Sequence, residues 1–405
     1  MAIIPRTELA KKIRELAGEN VYLCYQCQEC TTSCPMAEYM DYRPAQVMRL
    51  VQFGLEDRLI GSSGIWRCLT CENCGEHCPN SLHPREVIET MRYMVMQYHY
   101  LDGDRDRFES REDLAKGLRA LSMLRERLET YHNISGDDNS GRLIWSTNLA
   151  HVPEGLDRKK GAEVIYYVGC VSSLFPMTYG IPQSFVTVLE RAGVDFTTMG
   201  GDEWCCGYPL LIGGMRDQAV EMIHHNVAMV KALGAKRVVM TCPSCYHSWS
   251  HIYPEIVGDE MDFQVMHATE FLAELIEKGT ITLKEWPRGQ MVVTYHDPCD
   301  LGRKSGVYDA PRQIIHSIPG LEFREMASYR TNALCCGGGG NLESFDPSLV
   351  SEVARRRIGE AQEVEARLLI SACPQCERTL TKAARANKVR IRVMDVAQLV
   401  EQVME

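Results

Sequence analysis

Residues 366–376 read ARLLISACPQC, and residues 235–245 read AKRVVMTCPSC. Each is a short run of strand-forming, core-type residues that stops at a C-P-x-C turn. Apolar runs of this length, bounded by turn residues, indicate strands covered on both faces, as in parallel sheets. The proline suits the first turn of a helix, so each turn is expected to open one. The free amides of a helix N-terminus then favour an anionic, thiolate-bound group beside the cysteines.

Working outward from these two turns, ten cysteines fall into two matching groups. The first is Cys170, Cys205, Cys206, Cys242 and Cys245; the second is Cys299, Cys335, Cys336, Cys373 and Cys376. The intervening residues number 34, 0, 35 and 2 in the first group and 35, 0, 36 and 2 in the second. So close a copy marks an internal duplication of roughly 125 residues. AEVIYYVGC (162–170) and GQMVVTYHDPC (289–299) are further strands that end at a cysteine. Helix-period segments at 182–193, 217–234 and 347–363 separate the strands. The alternation predicts an α/β unit with a parallel sheet in each half. Cys170, Cys242, Cys299 and Cys373 would lie at carboxyl ends of strands, where such sheets bind ligands.

The first eight cysteines follow a different rule. Cys24, Cys27, Cys30 and Cys34 form C-x2-C-x2-C-x3-C before Pro35, and Cys68, Cys71, Cys74 and Cys78 repeat it before Pro79. This is the spacing of a bacterial two-cluster ferredoxin, in which the fourth cysteine of each run ligates the other cluster. One [4Fe–4S] cube would use Cys24, Cys27, Cys30 and Cys78, and the other Cys68, Cys71, Cys74 and Cys34. Zinc, which takes two separated pairs, fits these runs poorly. Helical periods after each run, opened by Pro44 and Pro84, complete an α-helical ferredoxin domain.

The composition narrows the remaining choices. The 405-residue chain carries 44 Lys plus Arg against 54 Asp plus Glu, a net charge of −10, with no basic block. This argues against nucleic acid or an anionic membrane surface as partner. Apolar runs are too short to span a bilayer. The first residues show no basic-then-apolar leader and read as a helix, so a cytoplasmic protein is expected, with any membrane association made through a partner. Eighteen cysteines in such a chain point to metal ligation rather than disulfides. Expected domains are 1–100 (two-cluster ferredoxin), 101–160 (a charged, solvated helical linker), 161–285 (first cysteine-rich α/β domain) and 286–405 (second).

Five thiols per group exceed what an ordinary cubane takes. A vicinal disulfide would leave three cysteines unexplained, and adjacent cysteines suit one tetrahedral zinc poorly. A cluster with a bridging thiolate would use all five. The glycines of LCCGGGGNLE (334–343) would let the backbone approach the sulfurs and leave room for a substrate. No G-x-G-x-x-G at a strand–helix junction and no Walker lysine occurs, so no flavin or nucleotide is expected in this chain.

The two five-cysteine groups resemble the duplicated CCG motif of the B subunit of heterodisulfide reductase, and the ferredoxin part resembles the C subunit of that enzyme. The whole chain looks like the fused arrangement of the D subunit. The resemblance implies two noncubane [4Fe–4S] clusters, one on Cys170, Cys205, Cys206, Cys242 and Cys245 and one on Cys299, Cys335, Cys336, Cys373 and Cys376. It implies that they face each other between pseudo-twofold-related halves, are fed by the two cubanes, and cleave or form a disulfide or other thiol-linked substrate. It also implies an electron-donating partner, either a flavin-bearing protein like heterodisulfide reductase A or a b-type cytochrome. A non-catalytic relay protein, of the benzoyl-CoA reductase or 2-hydroxy-acid dehydrogenase type, is the alternative. Many relatives carry histidine after the first cysteine of the second group, where this chain has Asp300 in YHDPCDLGRKSG. Asp300, His296 and Lys304 are therefore the candidate proton donors.

Overall fold

The computed structural model describes residues 6–101, 103, 106–287 and 289–405. Among the described residues, eight strands make two four-stranded sheets. β1 (Val164–Tyr167), β2 (Phe196–Thr197), β3 (Arg237–Met240) and β4 (Gln264–His267) pair in the order β2-β1-β3-β4. β5 (Met291–His296), β6 (Leu321–Phe323), β7 (Leu368–Ser371) and β8 (Arg392–Asp395) repeat the order as β6-β5-β7-β8. Every pairing is parallel. Strand order reverses between β1 and β3, and again between β5 and β7. A crevice outside the strand ends belongs at such a switch point. Tyr167 pairs with Met240 there, and His296 with Ser371. Cys170 and Cys242 follow in the first half, and Cys299 and Cys373 in the second, as the strand pattern leads one to expect.

The halves are joined by exchanged helix contacts. Gly180–Arg191 of the first packs on Val396–Val403 of the second, and Ala268–Glu277 of the first packs on Asp309–His316 of the second. Swapping the halves exchanges these pairs, which is the signature of a pseudo-twofold. Phe185, Val188 and Leu272 share one core with Ile314, Leu399 and Val400, all but completely buried. Burial of each such side chain contributes about 1.5–3 kcal/mol, so the duplicated sheets are held as one body.

The two compact units do not follow chain order. One consists of Met1–Arg125, Pro209–Asp217 and Gly337–Val353; the other of Glu126–Tyr208, Gln218–Cys336 and Ala354–Glu405. In the first, Pro44–Gln52 and Pro84–Val95 both open on proline at the first turn. Val47, Leu50, Val51 and Leu59 are buried, as are Met91 and Met94. The two returning segments begin just after the cysteine pairs, and missing side chains let them in. A Cβ on Gly340 (φ +65°) would stand 2.1 Å from the Cys68 carbonyl oxygen, and one on Gly339 2.7 Å from that of Leu69. A Cβ on Gly214 (φ +77°) would stand 2.4 Å from the Arg92 carbonyl carbon. At Gly339 and Gly340 the glycine run therefore admits the backbone of a ferredoxin cysteine loop, a demand that the run read alone does not announce.

The charged segment after the ferredoxin region departs from expectation. Parts of it, and the first five residues of the chain, lie outside the described residues. Helix Glu112–Tyr131 is not a solvated rod, because Leu114, Ala115, Leu118, Leu121, Leu124 and Leu128 are buried. Their spacing is a helical stripe that the surrounding charges obscure. After the helix, the fully buried Asn133 builds the turn. Its Oδ1 accepts from the backbone amides of Ser135 and Gly136, and its Nδ2 donates to the Tyr131 and Asp137 carbonyls. Among the described residues, no helix is long and apolar enough to cross a membrane.

Candidate metal centres

Both ferredoxin-type loops use the same backbone device. The residues before and after the second cysteine have positive φ: Gln26 and Gln28 around Cys27, Thr70 and Glu72 around Cys71. A non-glycine residue in this region costs about 1–2 kcal/mol. Four such residues at matching positions make a curled loop that turns amides and sulfurs inward. Cys24, Cys27, Cys30 and Cys78 line one recess with Ala45, Met48 and Pro84. Cys34 in turn feels the charges of Cys71 and Cys68, and burial together with these lifts its thiol far above the ordinary range. The crossed sets thus meet in space. Buried thiols that repel one another in this way suit cations, which would take them as thiolates.

The loops differ in polar partners. Gln26 Nε2 donates to Cys24 Sγ at 3.3 Å. Burial pushes the Cys68 thiol up to about 11, with the Arg92 guanidinium pulling against it.

In the first five-cysteine group all members converge. Hydrogen-bond contacts run from Cys170 to Cys205, to Cys206, to Cys245 and to Cys242. Arg142 Nη2 donates to Cys170 Sγ at 3.1 Å, and its Nη1 reaches Glu203 Oε1 at 2.7 Å. Glu203 also accepts from the amides of Val168 and Gly169 at 2.8 and 2.9 Å. Burial raises the Glu203 carboxyl, opposed by Arg142 and these two amides.

In the second group Cys335, Cys336, Cys373 and Cys376 come together, with Cys376 Sγ 3.2 Å from Cys336 Sγ. Cys373 caps helix Pro374–Ala386 and accepts from the Cys376 amide, as the C-P-x-C turn requires. Cys299 Sγ donates to Asp300 Oδ1 at 3.9 Å. His296, Cys336 and Cys376 place one ligand atom each within 4.8 Å of one another. His296 Nδ1 accepts from Arg357 Nε at 3.0 Å, so the ring proton sits on Nε2, which is buried without an oxygen or nitrogen partner. Hydrogen bonds from Cys335 and Cys376, joined by His296, hold the Cys336 thiol well below its ordinary value against burial. A ring N–H beside the Cys336 sulfur fits a site for a thiolate-bound, anionic group. All eighteen cysteines are free thiols, so neither adjacent pair forms a disulfide.

A polar cluster joins the two groups. Asp300 Oδ2 accepts from Ser244 Oγ, within the first C-P-x-C turn, at 2.6 Å. Asp300 Oδ1 accepts from Tyr208 Oη at 3.0 Å and lies 2.9 Å from Lys304 Nζ, which also donates to Tyr208 Oη. Burial pushes the Asp300 carboxyl up, but Lys304, His247 and Ser244 more than offset it and hold it below the ordinary value. Asp300 is therefore an anion at neutral pH, and the exchangeable protons belong to Lys304 and Tyr208. The His247 and His251 rings lie tilted at 37° with centroids 5.0 Å apart. Arg142, Glu203, Tyr208, Ser244 and Arg357 are site residues that sequence reasoning missed. Arg357 sits in an ARRR run that looks like a solvated face, and the others have no distinguishing pattern.

Comparison with known proteins agrees with this construction. The family model described as "Cysteine-rich domain" (CCG) matches residues 164–249 and 293–381, and a "4Fe-4S dicluster domain" matches residues 23–83. The chain is 32% identical to the D subunit of dihydromethanophenazine:CoB–CoM heterodisulfide reductase from Methanosarcina acetivorans, over 94% of this chain and 93% of that one. It is 28% identical to the probable iron-sulfur-binding oxidoreductase FadF of Bacillus subtilis, covering 90% of this chain and 49% of that one. In fold it is similar to a hypothetical protein from Helicobacter pylori whose crystal structure is known, with a TM-score of 0.57, 11% identity, and coverage of 98% of this chain and 72% of the other. The duplicated CCG halves, the dicluster loops and the near-full-length match to the D subunit lead to one conclusion: this chain is an iron–sulfur oxidoreductase subunit, and it belongs to the family of the heterodisulfide reductase D subunit.

Proposed function

We propose that the chain is the disulfide-reducing subunit of a heterodisulfide reductase-like complex. Cys24, Cys27, Cys30 and Cys78 would hold one cubane, and Cys68, Cys71, Cys74 and Cys34 the other. Each five-cysteine group would hold a noncubane [4Fe–4S] cluster. When bound, these clusters supply electrons one at a time and offer iron for sulfur to bind. The observation that carries the reading is the hydrogen bond between Ser244 and Asp300, which ties the two cysteine groups together through a cluster holding transferable protons. Cleaving R–S–S–R′ takes two electrons and two protons, and releases two thiols.

The chain's own residues handle the protons. Lys304 Nζ carries one, fixed by the Asp300 anion, and can pass it through Tyr208 Oη. His296 holds another at Nε2, its ring aimed by Arg357. Asp300 acts as the anion that keeps Lys304 charged and oriented. The same paths run backward when a disulfide is formed. A separate protein, flavin-bearing or a b-type cytochrome, supplies the electrons.

The test is turnover of the CoB–CoM heterodisulfide, and of a panel of simpler disulfides, by anaerobically purified protein with reduced viologen as donor. Thiol release at two electrons per disulfide is expected. A fully iron-loaded protein that turns over none of them would contradict catalysis by this chain and leave it a relay.

A further inference from the structure

Helix Pro84–Val95 carries a buried arginine whose bonds nothing in the functional reading uses. Arg92 is 1% exposed, and five of its hydrogen bonds go to carbonyl oxygens. Nε donates to Ile65 at 2.8 Å, Nη1 to Ile212 at 2.8 Å and Gly340 at 3.3 Å, and Nη2 to Trp66 at 3.3 Å and Cys68 at 2.6 Å. One guanidinium thus holds the loop that begins the second ferredoxin-type run, the segment that follows Cys205-Cys206 and the segment that follows Cys335-Cys336. One helical turn earlier, Glu89 carries the opposite charge. Its Oε2 accepts from Arg85 Nη1 at 2.8 Å, and its Oε1 is buried without a partner. Both residues act electrostatically on the Cys68 sulfur, in opposite directions.

We propose that Arg92 is a positioning residue that sets the reduction potential of the second cubane, holding it high enough to be filled, with Glu89 pulling the other way. The proposal rests on the assignment of a cubane to Cys68, Cys71, Cys74 and Cys34. Reducing a cluster adds one negative charge. Burial in a medium of low dielectric opposes that charge, and a fixed cation nearby offsets the opposition. Cys71 and Cys74 are buried and Cys34 half-buried, whereas Cys27 of the other set is exposed to solvent. A cluster on the second set would therefore pay the larger desolvation cost and need a compensating charge. The first needs less, and Gln26, a neutral donor, stands at its Cys24. With both cubanes bound, transfer of one electron from the first to the second would oxidise one and reduce the other by one unit, with no proton moved. The same guanidinium fastens the segments leading from Cys206 and Cys336 to the cluster loop, so one residue both tunes the cluster and seats these two segments.

The test is an EPR-monitored redox titration of the anaerobic full-length protein. Gln26→Leu marks the first cubane by shifting its midpoint alone. Arg92→Gln is expected to move the other midpoint to more negative potential, and Glu89→Gln to move that same midpoint to more positive potential. Because Arg92→Gln removes several buried bonds, Arg92→Lys, which keeps the charge, is titrated beside it and should stay nearer the wild type. Unchanged midpoints in an iron-loaded Arg92→Gln protein would overturn the proposal. Should that variant fail to load, an unmoved or negatively shifted second midpoint in Glu89→Gln would overturn it instead. Absence of two cubane signals in the wild type would be a different failure, that of the cluster assignment itself.

Discussion

Ser244 Oγ donates to Asp300 Oδ2 at 2.6 Å, although 56 residues separate them in the chain. Ser244 stands between Cys242 and Cys245, and Asp300 follows Cys299. The bond exists because the turn after β3 in the first half meets the turn after β5 in the second. Lys304, whose side chain is 2% exposed, completes the arrangement at 2.9 Å from Asp300 Oδ1.

Asp300→Asn removes the charge that pairs with Lys304. Leaving one member of a buried pair uncompensated costs about 3–5 kcal/mol. Iron content should hold, while disulfide turnover falls by about 10²–10⁴-fold, the usual scale for loss of acid–base assistance. Urea unfolding and viologen-coupled turnover, measured on the same preparation, check the two parts separately.

Gly340→Ala places a Cβ 2.1 Å from the Cys68 carbonyl oxygen at a φ of +65°. The second cubane's loop must then move, and loss of about four irons per chain is expected. Gly359→Ala is the matched control, since a Cβ there meets nothing within 4 Å. Elemental iron analysis of both variants tests this.

Arg142→Met breaks the buried pair with Glu203 and removes a donor from Cys170 Sγ. The stranded Glu203 carboxylate should cost about 3–5 kcal/mol. The paramagnetic signal of the first five-cysteine group should shift, with that of the second unchanged.

These residues show where legibility ended. The two sheets, their strand ends and the helices opened by Pro374, Pro44 and Pro84 could all be read, because strand composition and proline position act locally. The two ferredoxin-type runs and the two five-cysteine groups stood out in the sequence by their spacing. Arg142, Arg357 and Arg92 did not, since a buried arginine looks like a solvated one until its acceptors are placed. The leucine stripe from Leu114 to Leu128 was present but hidden under charge. The glycine run announced close approach without naming Cys68 and Leu69 as the backbone approached.

His267 gives a pH prediction away from the cysteines. It caps helix Ala268–Glu277 through Nδ1, which accepts from the Thr269 amide at 3.2 Å, and burial pushes its pKa down to about 3. The unfolded chain takes up a proton near pH 6.5 while the folded chain does not, so stability is full above that pH. It falls as pH drops toward about 3, at up to about 1.4 kcal/mol per unit. His267→Asn keeps a capping oxygen and should flatten urea midpoints across this window; an unchanged slope would refute the assignment.

The central claim is that all eighteen cysteines serve four clusters, two of them in the five-cysteine groups. Iron and acid-labile sulfide per chain, on anaerobically reconstituted protein, test it directly. The account predicts about sixteen of each, the content of four four-iron clusters. About eight, with both cubane signals intact, would contradict it, because the groups around Cys205-Cys206 and Cys335-Cys336 would then hold no four-iron cluster.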